Sequence, residues 1–247
     1  FENYIFLRDP HHVYEEIELD PLKSIDSVWL GADSIIFAKL NKRFLKNNIY
    51  KQVLEIGSGT GIQIISTSKF AKFCKAIDNN KRAVEYTKLN VAINKIQNIQ
   101  TFYSNIFEKV QGRFDLILVN PWFIDLKKGG LEEVPHIMKS MDQYLENNGL
   151  CLMLLNSYIK NGNDTAYDYL KNLIKSIKYD LDLYAIGYNI ETFRIKDYKK
   201  YGIDYYVSYY VVIKKNGSSS IKRYEASLFR KIRDFTFIKA YQIINKF

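Results

Sequence analysis

The chain has 247 residues, of which 47% are hydrophobic and 15% aromatic, and its formal net charge is +9. This composition fits one folded α/β domain with appended segments, and it excludes a largely disordered chain. No run of about 18 apolar residues is present, which excludes a membrane-spanning helix of ordinary length.

The positive charge is concentrated near the C-terminal end. Residues 1–50 contain eight acidic and six basic side chains, whereas residues 191–247 contain five acidic and thirteen basic ones. Such a distribution is compatible with binding to RNA. It is equally compatible with lysines on solvated faces of a chain that is rich in Lys, Asn, Ile and Tyr.

The two cysteines, Cys74 and Cys151, both lie in apolar runs. We expect buried free thiols in a reducing compartment, and therefore a cytoplasmic protein. No Cys/His cluster has the spacing of metal ligands, so we expect no metal. The chain begins at Phe1 without a signal-peptide pattern, and we expect it to start within a longer gene product.

Helical spacing of apolar residues appears first over Ser34–Leu45, with Asp33 or Ser34 as its cap, in an N-terminal cap segment that covers residues 1–48. From residue 52 onward, strand and helix patterns alternate, which predicts a mostly parallel sheet with helices on both faces. The predicted strands are Val53–Ile56, Phe73–Ile77, Ile99–Tyr103, Phe114–Val119, Leu150–Leu155, Tyr179–Tyr188 and Tyr205–Lys215. The predicted helices are Ile62–Ala71, Lys81–Asn94, Leu131–Leu145 (stopped near Gly149) and Thr165–Ile177.

The last segment, 216–247, opens with the flexible run Asn216–Ser220. Apolar residues from Ile221 onward then recur at helical spacing, which predicts a C-terminal amphipathic helix. The organisation expected from the sequence is therefore a cap segment (1–48), a core (49–215) and this helix (216–247).

The first strand of the core runs directly into a glycine-rich turn, Gly57-Ser58-Gly59-Thr60-Gly61. Glycines allow a tight turn and bring the backbone close to a ligand, at the start of the next helix. A dinucleotide site needs G-x-G-x-x-G, and Ile62 occupies the place of its third glycine. This spacing favours a ligand without a pyrophosphate.

Acidic residues stand on both sides of this turn. Glu55 precedes the glycines, where a carboxylate would repel a diphosphate but suits an ammonium group. Asp78 ends the second strand, where an acid can accept the two ribose hydroxyls, and Asn79 follows it. S-adenosylmethionine has an ammonium, a sulfonium and a ribose but no phosphate. The combination therefore predicts S-adenosylmethionine as the cofactor and S-adenosylhomocysteine as its product.

Residues 50–215 resemble the class I S-adenosylmethionine-dependent methyltransferases, through Glu55–Gly61, Asp78, Ser104–Phe107 and Asn120–Phe123. The resemblance implies a Rossmann-like α/β fold, with a seven-stranded, mostly parallel sheet whose last strand is antiparallel. It implies that Glu55 and the turn hold the amino-acid end and that Asp78 holds the ribose. Asn105 stands where the family usually has an acid that bonds the adenine amine, and Ile106 would pack on the adenine face.

The fourth strand ends in Asn120-Pro121-Trp122-Phe123, which resembles the Asn-Pro-Pro-Phe motif of "small-domain" methyltransferases that modify conjugated nitrogens. The Asn120 side-chain oxygen and the Pro121 carbonyl can accept the two N–H groups of such a nitrogen and aim its lone pair at the methyl group. Phe123 can stack on the planar target. Trp122 replaces the usual second proline. This replacement indicates a different acceptor, or else a Trp side chain that lines the acceptor pocket.

The resemblance extends upstream to Trp29–Ser34, which matches a segment that starts a helix over the cofactor in this group. Asp33 is then expected near the methionine end of the cofactor, although helix capping explains it equally well.

The sequence thus predicts transfer of a methyl group to an amide or conjugated amine nitrogen, with RNA, a protein glutamine or a small metabolite as acceptor. One alternative is a natural-product methyltransferase that acts on a small molecule or peptide. Another is a non-catalytic module that binds the cofactor, which the presence of Glu55, Asp78 and Asn120 opposes. An oxidoreductase is opposed by the missing third glycine.

Overall fold

A computed structural model describes residues 3–9, 28, 30–121, 131, 133–189, 202–215 and 218–224. These residues form two compact units, and the boundary between them falls between Leu118 and Val119. Within the described part of the chain, no helix combines the length and the hydropathy needed to cross a membrane.

The described part of the first unit contains three α-helices and four strands. Its first strand and its fourth are buried along most of their length, because both faces of this part of the sheet are covered. The elements are α1 (Ala32–Leu45), β1 (Tyr50–Ile56), α2 (Ile62–Thr67), β2 (Ala71–Asp78), α3 (Lys81–Ile93), β3 (Ile99–Tyr103) and β4 (Phe114–Val119).

The strands of this unit lie in the order β3-β2-β1-β4. β1 pairs with β2 in parallel, in the register Glu55↔Ala76, and β2 pairs with β3 in parallel, in the register Asp78↔Tyr103. From β1 the chain adds β2 and then β3 on one side, and it then crosses back to add β4 on the other side of β1. The order in which strands are added therefore switches between β1 and β4. In open α/β sheets, ligands bind beyond the carboxyl ends of the strands at such a switch point.

The described part of the second unit contains two helices and five strands, of which β8 (Tyr205–Lys215) is antiparallel to both of its neighbours, β5 (Leu145–Lys160) and β7 (Tyr179–Asn189). This confirms the antiparallel strand expected at Tyr205–Lys215. A further strand, β9, pairs with β7 in parallel. The elements are α4 (Val134–Ser140), β5 (Leu145–Lys160), β6 (Asn163–Asp164), α5 (Thr165–Leu173), β7 (Tyr179–Asn189), β8 (Tyr205–Lys215) and β9 (Ser220–Tyr224).

The α/β class is confirmed, and the described residues form nine strands where seven are predicted. The two additional strands are β6, which has two residues, and β9. Ile221 and its neighbours form β9, so the prediction of a helix is wrong at Ile221–Tyr224, where pairing with β7 overrides the helical spacing. The rest of that helix, residues 225–247, lies outside the described residues.

The helix predicted over Leu131–Leu145 is also wrong at its end. α4 stops at Ser140, a 3-10 turn covers Met141–Gln143, and β5 already begins at Leu145. The turn signal before Gly149 is nevertheless real, because Asn148 has a φ of +63°. The sequence thus indicates the local bend but not the strand that continues through it.

Candidate functional site

β1 leads directly into the glycine turn. Gly57, Gly59 and Gly61 have φ values of +70°, +53° and +77°, a region that side chains disfavour and glycine adopts freely. The turn is tied to the neighbouring strand, since the Ser58 N–H donates to the Ile77 carbonyl at 3.0 Å. Its conformation is therefore set by the glycines and held by the sheet.

A methyl group added at Gly61 is expected to lower the free energy of unfolding by about 3 kcal/mol, combining left-handed strain with overpacking. The new Cβ would lie 2.8 Å from Thr87 Cγ2. Thr87 cannot easily move, because it is fully buried and donates to the Gly59 carbonyl at 3.0 Å. Gly112→Ala is the matched control, since Gly112 has a φ of +91° but no atom within 4 Å of the added Cβ. Urea unfolding should show the larger loss for Gly61→Ala, and equal losses would contradict the contact.

Glu55 is buried near the end of β1, with 2% of its surface exposed. Its Oε2 accepts the backbone N–H of Ile64 at 3.0 Å, which ties the strand to α2 beyond the turn. Burial raises the pKa of this carboxyl well above its usual value. The bond from Ile64 opposes that rise, and the nearby Asp78 adds to it. A positive ligand group beside Glu55 would offset the cost of keeping this charge buried.

Asp78 stands at the end of β2 and contacts the glycine turn. Its Oδ2 accepts the Gly59 N–H at 2.9 Å, and its Oδ1 accepts the Asn80 N–H at 2.8 Å. Burial raises its pKa, against the opposing bonds from the backbones of Gly59, Asn80 and Asn79. The Asn79 side chain is exposed. The structure thus brings Glu55, the turn and Asp78 together.

These residues fit the predicted ligand. The hydrogen bonds described for both carboxylates come from backbone N–H groups, and each carboxylate has further lone pairs that can accept hydroxyl or ammonium protons. Gly57 leaves open space where a Cβ would stand, so a ligand can approach the backbone there. A carboxylate at Glu55, directly before the turn, would repel a diphosphate. The two carboxylates and the glycine turn therefore suit a cationic ligand with a ribose and no phosphate.

Two buried polar residues of α3 support the turn and were missed in the sequence. Thr87 bonds the Gly59 carbonyl, and Asn90 donates to the Thr60 carbonyl at 2.9 Å. Both have 0% of their surface exposed. Their only sequence signal is a polar residue at positions that belong to the buried stripe of the helix.

The loop after β3 carries Asn105 and Ile106. The Ser104 N–H donates to the Asp78 carbonyl at 3.0 Å, which places the loop beside the ribose-binding candidate. The Asn105 amide donates to Glu108 at 2.9 Å. Ile106 has a φ of +46°, a strained conformation for a β-branched residue, and it is only half-buried. Strain of this kind persists where the surrounding structure imposes it, often at ligand sites.

Asp33 lies in the first turn of α1, which begins at Ala32 and not at Ser34. The predicted capping by Asp33 or Ser34 is wrong, because the cap residue is Gly31 and no side chain makes the capping bond. α1 is held to α2 instead, since the Gln63 side chain donates to the Ser34 carbonyl at 2.9 Å. Asp33 therefore directly precedes Ser34, whose carbonyl contacts α2, the helix after the glycine turn.

Asn120 and Pro121 follow β4 directly, and both are half-buried. β4 is the neighbour of β1 in the sheet. Trp122 and Phe123 lie outside the described residues. Within the described part of the chain, no group of three or more His, Cys, Asp or Glu side chains could hold a metal ion.

Comparison of the sequence with known families and proteins gives consistent matches. The family model of the methyltransferase small domain matches residues 35–179. A Methanocaldococcus jannaschii protein named as a protein N5-glutamine methyltransferase is 35% identical over 159 residues, which cover 58% of this chain and 79% of that one. A ribosomal RNA small subunit methyltransferase C of Escherichia coli is 26% identical over 110 residues, which cover 44% of this chain. The match spans only 32% of that relative.

Solved structures show the same fold. The crystal structure of a ribosomal protein L11 methylase from Lactobacillus delbrueckii superposes with a TM-score of 0.55 at 17% identity. The superposition covers 76% of this chain and 81% of that one. A methyltransferase from Pyrococcus furiosus superposes with a TM-score of 0.53 at 18% identity, over 72% of this chain and 83% of that one.

Proposed function

Since this chain belongs to the methyltransferase small-domain family, we propose that it transfers the methyl group of S-adenosylmethionine to an amide or conjugated amine nitrogen of a protein or RNA. The observation that carries the proposal is the arrangement of Glu55, the glycine turn and Asp78. Two buried acids flank one backbone turn, and the Gly59 N–H joins that turn to Asp78.

In this proposal each residue has a defined role toward the cofactor. Glu55 accepts the ammonium of the amino-acid end, and the backbone of Gly57–Gly61 surrounds that end. Asp78 accepts the ribose hydroxyls, with Asn79 beside it. The Asn105 oxygen accepts the adenine amine, because its amide nitrogen already donates to Glu108. Ile106 packs on the adenine, and Asp33 lies near the methionine end.

The reaction itself needs positioning more than proton transfer. The cofactor supplies a methyl group that its positive sulfur already activates. The side-chain oxygen of Asn120 and the carbonyl of Pro121 accept the two N–H groups of the acceptor nitrogen, which localises the lone pair that attacks. The new nitrogen–methyl bond would replace the methyl–sulfur bond of the cofactor, and one N–H proton would pass to solvent. Phe123 is assigned to stacking on the planar acceptor group, and Trp122 to the lining of the acceptor pocket. Holding two reactants in such geometry supplies a large part of a rate enhancement.

Among acceptors, we place a protein glutamine first. The supporting observation is the match to the M. jannaschii protein, which is named for that acceptor and is matched over 79% of its length. A ribosomal RNA base comes second, because the relative named for it is matched over only 32% of its length. The small-molecule and non-catalytic alternatives are not favoured by these relatives.

We also propose a cytoplasmic location. Cys74 and Cys151 are buried and free. Burial raises the pKa of the Cys74 thiol to about 12, with a further contribution from Glu55. Such thiols are unreactive, and unpaired cysteines are usual in reducing compartments.

Calorimetry tests the cofactor. S-adenosylmethionine and S-adenosylhomocysteine are expected to bind with micromolar affinity, and NAD is expected not to bind, because its pyrophosphate would meet the Glu55 carboxylate at the glycine turn. Binding of NAD alone would overturn the proposal.

A screen with labelled methyl groups, offering purified ribosomal proteins, release factors and ribosomal RNA in separate reactions, then identifies the acceptor. Label on a protein glutamine is the expected result.

A further inference from the structure

Residues 3–9, which we call the N-terminal strap, run along one face of α3. The residues that hold the strap are Arg82, Tyr86, Asn90 and Asn94, spaced four apart. In a helix this spacing is about 6 Å, and alternate residues of an extended chain are about 6.6 Å apart. The two repeats nearly match, so successive helical turns can hold alternate residues of the strap.

Two asparagines bind the strap in the same way. Asn94 accepts the Ile5 N–H at 2.9 Å and donates to the Ile5 carbonyl at 2.7 Å. Asn90 accepts the Leu7 N–H at 2.6 Å and donates to the Leu7 carbonyl at 3.0 Å. A side-chain amide has the donor and acceptor of a peptide group, so each asparagine replaces one partner of a β-ladder.

Asp9 fixes the end of the strap. Its Oδ1 accepts a bond from the Arg82 guanidinium at 2.5 Å and one from the Tyr86 hydroxyl at 2.8 Å, and its Oδ2 accepts the Val28 N–H at 2.8 Å. Asp9 is buried, with 3% of its surface exposed. The strap is thus fastened at residues 5, 7 and 9.

Asn90 differs from Asn94 in the use of its second amide hydrogen. Asn90 donates it to the Thr60 carbonyl in the glycine turn at 2.9 Å, whereas Asn94 donates it to the Asn90 carbonyl at 2.7 Å. One amide group therefore contacts both the strap and the turn. Any displacement of Leu7 therefore shifts the Asn90 amide, which donates to the Thr60 carbonyl.

We propose that Asn90 is a positioning residue that couples docking of the strap to the shape of the glycine turn, so that strap docking and S-adenosylmethionine binding strengthen each other. This inference rests on the proposed function, because it takes the turn as the cofactor site. Coupling between two binding equilibria is reciprocal. The cofactor must therefore tighten the strap by the same factor by which the strap tightens the cofactor.

The test changes the strap and leaves α3 and the turn intact. Leu7→Pro removes the N–H that bonds to Asn90, and Ile5→Pro, the matched control, removes the N–H that bonds to Asn94. Calorimetry on the full chain should show a Kd for S-adenosylmethionine about fivefold higher for Leu7→Pro, the lower end of the usual range for such coupling. Ile5→Pro should change the Kd less than about twofold. Equal Kd values for Leu7→Pro and the unchanged protein overturn the coupling.

Amide hydrogen exchange on the unchanged protein tests the reciprocal effect and needs no variant. Saturation with S-adenosylmethionine should slow exchange of the Leu7 amide by about the same factor. Unchanged exchange at Leu7 in a protein that binds the cofactor overturns the coupling alone. Failure of the unchanged protein to bind S-adenosylmethionine overturns both the coupling and the proposed function.

Discussion

Replacing Glu55 with glutamine is expected to stabilise the ligand-free protein and to weaken its binding of S-adenosylmethionine by about 10- to 100-fold. Glutamine keeps an acceptor for the Ile64 N–H and removes a buried ionisable group whose pKa burial raises. It also removes the proposed partner of the ligand ammonium, and a hydrogen bond to a charged group contributes about 1.5–3 kcal/mol. Thermal unfolding without ligand and calorimetry with it measure the two effects.

The stability gain should depend on pH with a defined sign. A carboxyl whose pKa is higher in the folded state binds protons more tightly there, so the wild type loses stability as pH rises above the unfolded value. Glu55→Gln lacks this loss. The stability of Glu55→Gln relative to the wild type is therefore unchanged at acidic pH below the pKa of the unfolded state. It rises as pH increases through neutral and levels off above the pKa of the folded state. An advantage that is largest at acidic pH would contradict the assignment.

Asp164→Asn provides a control with the opposite expectation. Asp164 is also buried, but it caps α5 at the Tyr167 N–H, accepts the Tyr209 hydroxyl at 2.5 Å and lies 3.4 Å from Arg223. Loss of its charge should destabilise the protein and leave the Kd for S-adenosylmethionine unchanged. The two variants together separate the effect of any lost buried carboxylate from the effect specific to Glu55.

Asn120→Ala is expected to lower kcat by about 100- to 1,000-fold, the range seen when one preorganised polar group is removed from an active site. The proposed role of the Asn120 oxygen is to hold the acceptor nitrogen during transfer, so the loss should appear in kcat more than in cofactor affinity. Single-turnover transfer of a labelled methyl group measures it, once the acceptor is known.

Asn105→Ala is the counterpart for this experiment, because Asn105 is assigned to the adenine. It should raise the Kd for S-adenosylmethionine and change the single-turnover rate at saturation only slightly. Transfer that continues at the normal rate in Asn120→Ala would show that another group orients the acceptor. A loss confined to cofactor binding would show that Asn120 binds the cofactor and does not orient the acceptor.

Much of the fold follows from apolar runs. The limits of β3, β4 and β8 agree with the predictions to the residue, because each of these runs is bounded by polar or turn-forming residues. β9 could not be predicted, since its pairing with β7 joins residues 40 positions apart in the register Asp180↔Ser220. Local spacing does not contain that information.

The candidate site also contains residues that the sequence predicts and residues that it does not. Glu55 and Asp78 could be identified because a charged residue at the end of a buried strand is unusual and has a chemical explanation. Thr87 and Asn90 could not, because their role depends on how α3 packs against the turn. The strap was missed as well. Its backbone is held by side chains, and polar residues at a spacing of four along a helix and its C-cap do not by themselves indicate a bound segment.

The antiparallel strand β8 has a consequence for synthesis on the ribosome. It pairs Leu150↔Lys214 on one side and Tyr179↔Lys215 on the other, so it fills the position between two strands that precede it in the chain. Until residue 215 has emerged from the exit tunnel, β5 and β7 each expose an unpaired hydrogen-bonding edge. The sheet of the second unit is therefore completed late in translation. A nascent chain paused before β8 exposes the edges of β5 and β7 that β8 later pairs, and also the β7 edge that β9 later pairs, to aggregation with other chains.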